Sequence, residues 1–117
     1  MRVIFAIIFA VSTAAAILLY GGDAAAYAIY ANPGGPYSGN EGQTIKFDGS
    51  GSSADAECYI SQYAWNFGVG AGYQWKTVPT LDYAYAAPGT YTVTLRVDGY
   101  CGGSPVTDEK MTTAAIS

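Results

Sequence analysis

PGTYTVTLRV, residues 88–97, carries the clearest structural signal in the chain. Pro88-Gly89 is a turn signal. Behind it apolar and polar side chains alternate without a break, placing Tyr91, Val93, Leu95 and Val97 on one face and Thr90, Thr92, Thr94 and Arg96 on the other. A period of two with one apolar face predicts a half-buried antiparallel strand. TIKFD (44–48) repeats the pattern with Ile45 and Phe47 inward, and YAWNF (63–67) with Tyr63, Trp65 and Phe67 inward. Turn clusters rich in Gly, Pro, Asn and Asp separate these runs, at NPGGPYSGNEG, DGSGSSADAE, GVGAG, APGT and DGYCGGSP. Short strands punctuated in this way predict an all-β domain, a sandwich of about seven antiparallel strands. VTDEKMTTAAIS, residues 106–117, reads as a last strand of weak pattern.

The N-terminus is of another kind. MRVIFAIIFAVSTAAAILLY has one Arg near its start, an apolar run, and then small residues in GGDAAAYA. These are the parts of a secretory signal peptide, with cleavage after Ala26 or Ala28. The same run is also nearly long enough, as a retained helix, to span a bilayer. The chain therefore divides into residues 1–28, a signal peptide or hydrophobic anchoring helix, and residues 29–117, the β-domain. Either fate predicts a secreted or cell-surface protein.

A mature domain of roughly 90 residues buries too little surface to be comfortably stable alone. Cys58 and Cys101 are the only cysteines. An even count in an exported chain favours a disulfide over two free thiols, and closing that loop is worth about 4 kcal/mol in the chain-entropy view. The chain has no His, so a two-Cys zinc site lacks its remaining ligands. The net charge of -4, with Lys46, Lys76, Arg96 and Lys110 as the cations beyond the leader, argues against a nucleic-acid partner.

Three blocks, ANPGGPYSGNEGQTIKFDGSGSS, ISQYAWNFG and YAYAAPGTYTVTLRV, resemble the signature blocks of a PKD domain, in order and spacing, from about Ala31 to Ile116. The resemblance implies an immunoglobulin-like β-sandwich found in extracellular proteins. On that frame Trp65, Phe67, Phe47, Val93 and Leu95 are core, with Trp65 as its largest surface. Tyr91 resembles a tyrosine corner, its hydroxyl tying down the preceding turn. Cys58 and Cys101 fall in loops expected at one end of the sandwich.

Some members of the family bind calcium near loops rich in carboxylates. Here ADAEC replaces an Asp-Pro-Asp-Gly-like loop, and Asn66 and Val69 stand where two carboxylates are usual. Asp55, Glu57 and Asn66 remain as a weak calcium candidate, and otherwise no cofactor is expected.

Without His the usual nucleophile–base triads cannot be assembled, and the adjacent carboxylates have no implied apolar pocket to raise a pKa. No enzyme is expected. Tyrosine is the conspicuous residue, with 11 in the chain. Tyr59, Tyr73, Trp75 and Tyr100 fall in or beside predicted loops, where rings can contact sugar or protein. The leading expectation is a non-enzymatic adhesion or binding module, engaging extracellular proteins or polysaccharide. The alternative is a structural subunit that assembles with copies of itself into a filament, pilus or sheath. That route uses the N-terminal helix or donates the strand YAIYANPGG to a neighbour. Membrane contact is expected only through a retained N-terminal segment.

Overall fold

The alternation at residues 90–97 runs further than its sequence signal. In the computed structural model, which describes residues 27–117, strand β8 spans Gly89–Cys101 and pairs along its whole length with β9, Ser104–Ile116. A two-residue turn at Gly102-Gly103 joins them, with φ of +57° and +86°, the left-handed pair that a tight hairpin requires. The apolar leader of residues 1–26, whether cleaved peptide or helix, lies outside the described residues.

Nine strands are present among the described residues, two more than expected, and there is no helix. Beside the hairpin, β5 (Cys58–Asn66) pairs antiparallel with β8, and β6 (Gln74–Lys76) extends the sheet from β5. At the opposite margin β2 (Tyr37–Gly39) pairs parallel with the end of β9, so the five-stranded sheet is mixed, in the order β2-β9-β8-β5-β6. The facing layer is the pair β3 (Thr44–Asp48) and β7 (Thr80–Ala84). The small strands β1 (Ile29–Tyr30) and β4 (Ser53–Ala54) close one end.

The core lies between these layers. Phe47 from β3 packs on Trp65 and Phe67, with ring centroids 5.8 Å and 4.8 Å apart, and Val93, Leu95 and Val97 complete the buried floor. Fully burying side chains of this size stabilises each by about 1.5–3 kcal/mol against leaving it in water. Tyr91 packs against the core rather than inside it. Its ring stacks on the buried Tyr85 at 4.1 Å, and its hydroxyl donates to the Ala87 carbonyl at 2.7 Å, the corner tie that the turn before β8 requires. Tyr37 makes the equivalent tie to the Pro33 carbonyl at 2.6 Å and accepts from the Asp48 amide at 3.0 Å.

The last strand carries a weak pattern for a physical reason. Only Ala114 and Ile116 at its far end are buried, whereas Asp108, on the same parity, accepts from the Ala31 amide at 2.8 Å and from Lys110 at 2.9 Å. That contact, with Ile29 buried and β1 paired to β4, folds residues 28–31 onto their own domain. The segment expected as a donated strand is thus occupied within its own chain.

Cys58 and Cys101 form a disulfide. They lie not in loops, as expected, but directly opposite each other as the last pair of β5 and β8, with Cα atoms 4.0 Å apart. Both strands outrun their sequence signal.

Candidate binding face

Directly opposed residues of paired strands share a face, so the register defines what the five-stranded sheet presents on the side away from β3 and β7. Along β8 the outward residues are Thr94, Arg96, Asp98 and Tyr100, between the inward Val93, Leu95, Val97 and Gly99. Tyr59 of β5 lies opposite Tyr100, and Pro105 of β9 lies opposite it on the other side. The next outward row is Gln62, Asp98 and Thr107. The row after that runs from Trp75 of β6 through Ala64 and Arg96 to Glu109.

This places two aromatic pairs on one face. Tyr59 and Tyr100 have ring centroids 5.7 Å apart and are 59% and 40% exposed. Tyr73 and Trp75 have centroids 6.3 Å apart, and Trp75 is 45% exposed. Rings so exposed keep apolar surface in water, which is the usual condition of a contact residue rather than of a core one.

The ground between the pairs is polar and internally braced. Arg96 Nε donates to Asp98 at 2.9 Å, and its guanidinium carbon sits 5.6 Å from the centre of the Trp75 ring. Thr107 donates to the same Asp98 oxygen at 2.8 Å, and Ser61 donates to the Asp98 carbonyl at 3.1 Å. Tyr73 reaches over to Glu109, donating at 2.9 Å. Burial, and then this bond to a carboxylate, raises the Tyr73 phenol above its ordinary pKa. The Asp98 hydrogen bond, and then its charge, raises that of Arg96 and holds it as the cation. Ser61, Gln62, Arg96, Asp98, Tyr100, Pro105 and Thr107 are among the residues lining a shallow depression of about 290 Å³.

All four aromatic residues singled out in the sequence therefore come together on one sheet face. They sit on strands or, for Tyr73, just before one, rather than in loops. The polar residues between them were missed. Continuing the alternation of TYTVTLRV three residues further, through Asp98 and Tyr100, finds Arg96, Asp98 and Tyr100 as one outward series. For Tyr59 no such signal exists, because a bulge between Ile60 and Gln62 reverses parity, so that Tyr59 faces outward and Tyr63 inward.

The candidate calcium ligands are not brought together. Asp55 and Glu57 lie before the first residue of β5, and Asn66 is its last, about 26 Å away at a strand rise of about 3.3 Å per residue. Asp55 accepts from the Ala28 amide at 2.9 Å and the Tyr30 hydroxyl at 3.0 Å, while Asn66 caps its own turn by accepting from the Gly68 amide at 2.9 Å. Their oxygens serve the fold, and no group of three or more metal-binding side chains occurs among the described residues. The mismatch arises because ADAEC and WNFG flank the same long strand.

The sandwich architecture, the two tyrosine ties and the buried Trp65 accord with one further finding: the PKD domain family matches residues 30–114. The chain belongs to the PKD domain family. This PKD domain is also similar to a solved structure from work on the promiscuous specificity of carbohydrate-binding modules of the β-sandwich superfamily. The two share 28% sequence identity with a TM-score of 0.65, over 77% of this chain and 34% of that one. The chain thus spans about a third of the length of that protein. No curated protein matches it.

Proposed function

We propose that this PKD domain is a non-enzymatic extracellular binding module that holds polysaccharide on the outward face of its five-stranded sheet. The observation that carries the reading is the pairing of Tyr59 with Tyr100 and of Tyr73 with Trp75 on one face that no other described strand covers, with hydrogen-bonding groups between them. Sugar rings present apolar C–H faces edged by hydroxyls, and amphipathic aromatics beside polar side chains match both parts. The likeness to a carbohydrate-binding module supports the same ligand class. The Cys58–Cys101 bridge supports an oxidising, extracellular setting.

Two carboxylates, Asp48 and Asp108, are shifted away from what acid catalysis requires. Asp48 is held below its ordinary pKa, mainly by hydrogen bonds from Ser50. Asp108 is also lowered: burial works against ionisation but is outweighed by the Ala31 amide and Lys110. A general acid needs the opposite shift.

The test is retention of the full chain on a panel of immobilised polysaccharides, beside the double variant Trp75→Ala/Tyr100→Ala. Binding by the native protein that disappears in a variant of unchanged thermal stability supports the reading. Retention by no polysaccharide, or equal retention of the variant, overturns it.

A further inference from the structure

Resting on that reading, we infer that the ligand is a neutral, extended glycan that touches both aromatic pairs at once. Charge on this face favours a neutral ligand. Between the pairs the face carries two carboxylates, Asp98 and Glu109, against one guanidinium, and Arg96 is already committed to Asp98 at 2.9 Å and to the Trp75 ring. The other described cations stand off this face. Lys76 lies opposite the inward Tyr63, Lys110 opposite the inward Leu95, and Lys46 on the facing layer. A uronate or sulfated chain would therefore approach a surface of its own sign, within a protein whose net charge is -4.

The spacing of the pairs calls for an extended ligand. Tyr100 and Arg96 are four residues apart on β8, so the Tyr59–Tyr100 pair and the Trp75 end of the trough are separated by about 13 Å. No single sugar ring reaches both. A chain of several rings lying along the strands does, and passes over the Asp98 row on the way.

That row also leaves hydrogen-bonding groups available. Among the described residues no hydrogen bond uses the terminal nitrogens of Arg96 or the side-chain amide of Gln62, while Asp98 and Thr107 are already fixed by their mutual bond. Fixed acceptors beside unused donors suit hydroxyls, which both donate and accept. The brace orders these groups before the ligand arrives, which lowers the entropy lost on binding.

The test is affinity electrophoresis of the full chain in gels containing hydroxyethylcellulose, galactomannan, alginate or polygalacturonate. Calorimetry follows with the two-unit and six-unit oligomers of whichever polymer retards it. The expected result is retardation by a neutral polymer alone and at least about tenfold tighter binding of the hexamer, since the second contact becomes intramolecular. Trp75→Ala and Tyr100→Ala should each reduce the hexamer to the affinity of the dimer. Retardation by the acidic polymers, or equal affinity for dimer and hexamer, overturns the inference and leaves the binding reading in place. Retardation by none of the gels overturns both.

Discussion

Tyr59 and Tyr100 stand opposite each other across β5 and β8, one residue inboard of the Cys58–Cys101 bridge. Both side chains are exposed, and the strand ends that carry them extend past the buried core. The bridge takes over where apolar packing runs out. It joins the last residue pair, so the register of the tyrosines beside it is covalently set.

Reducing the bridge should cost about 4 kcal/mol of stability if loop closure dominates, for a sequence separation of 43 residues. Urea unfolding with and without reductant measures this, and ring signals of Tyr59 and Tyr100 should broaden while those of Trp65 stay sharp. An unchanged midpoint after verified reduction would refute the assignment of the bridge as the staple of this end.

Gly99 should not tolerate a side chain. It is buried opposite Ile60, and a Cβ there would run into the Tyr59 carbonyl oxygen, which is backbone and cannot swing away. Gly99→Ala should therefore push β5 from β8 and destabilise the domain by about 3 kcal/mol, the upper part of the overpacking range. Equal unfolding midpoints for variant and parent would contradict the close approach.

Stability should fall in alkali through Tyr85. Burial first, and then the neighbouring phenols of Tyr83 and Tyr91, push its pKa up to about 12 from the ordinary 10.0. The folded state holds this proton more tightly, so the contribution is complete below about pH 10 and is lost as pH rises toward about 12. Tyr85→Phe also removes the hydrogen bond to the Phe67 carbonyl, at 2.9 Å, and should cost about 1 kcal/mol at neutral pH. The gap between parent and variant should then narrow and reverse above about pH 10. A gap constant with pH would exclude the buried phenol as the source.

Calcium should change little. Asp55 accepts from the Ala28 amide and the Tyr30 hydroxyl ahead of β5, and Asn66, the last residue of β5, accepts from the Gly68 amide of its own turn. Replacing chelator with millimolar calcium is expected to move the thermal midpoint by less than about 1 °C, since only binding to the folded state shifts it. A rise of several degrees would mean a site outside these three residues.

The core was legible in the sequence because its strands are amphipathic by strict alternation. Phe47, Val93 and Leu95 each sit between polar neighbours of opposite parity, and Trp65 between the small Ala64 and the polar Asn66. The candidate face was legible only in its aromatic residues, since a solvated Arg, Asp or Thr carries no pattern of its own until the strand is known to continue. The bulge at Ile60–Gln62 hid the side of the sheet on which Tyr59 lies, and β9 hid most of its length because its inward position 108 is a hydrogen-bonded Asp rather than an apolar residue. The expected calcium set failed for a simpler reason. Nearness in the family's loops was assumed for residues that an intervening nine-residue strand holds apart.

The bridge has a last consequence, for survival among proteases. Both aromatic pairs lie within the covalent ring that Cys58 and Cys101 close. So does the exposed Gly-rich loop at residues 68–72, the kind of small-residue tip where cleavage concentrates. One cut there yields two polypeptides that remain a single molecule. The domain can be nicked and still hold both aromatic pairs in one covalent unit.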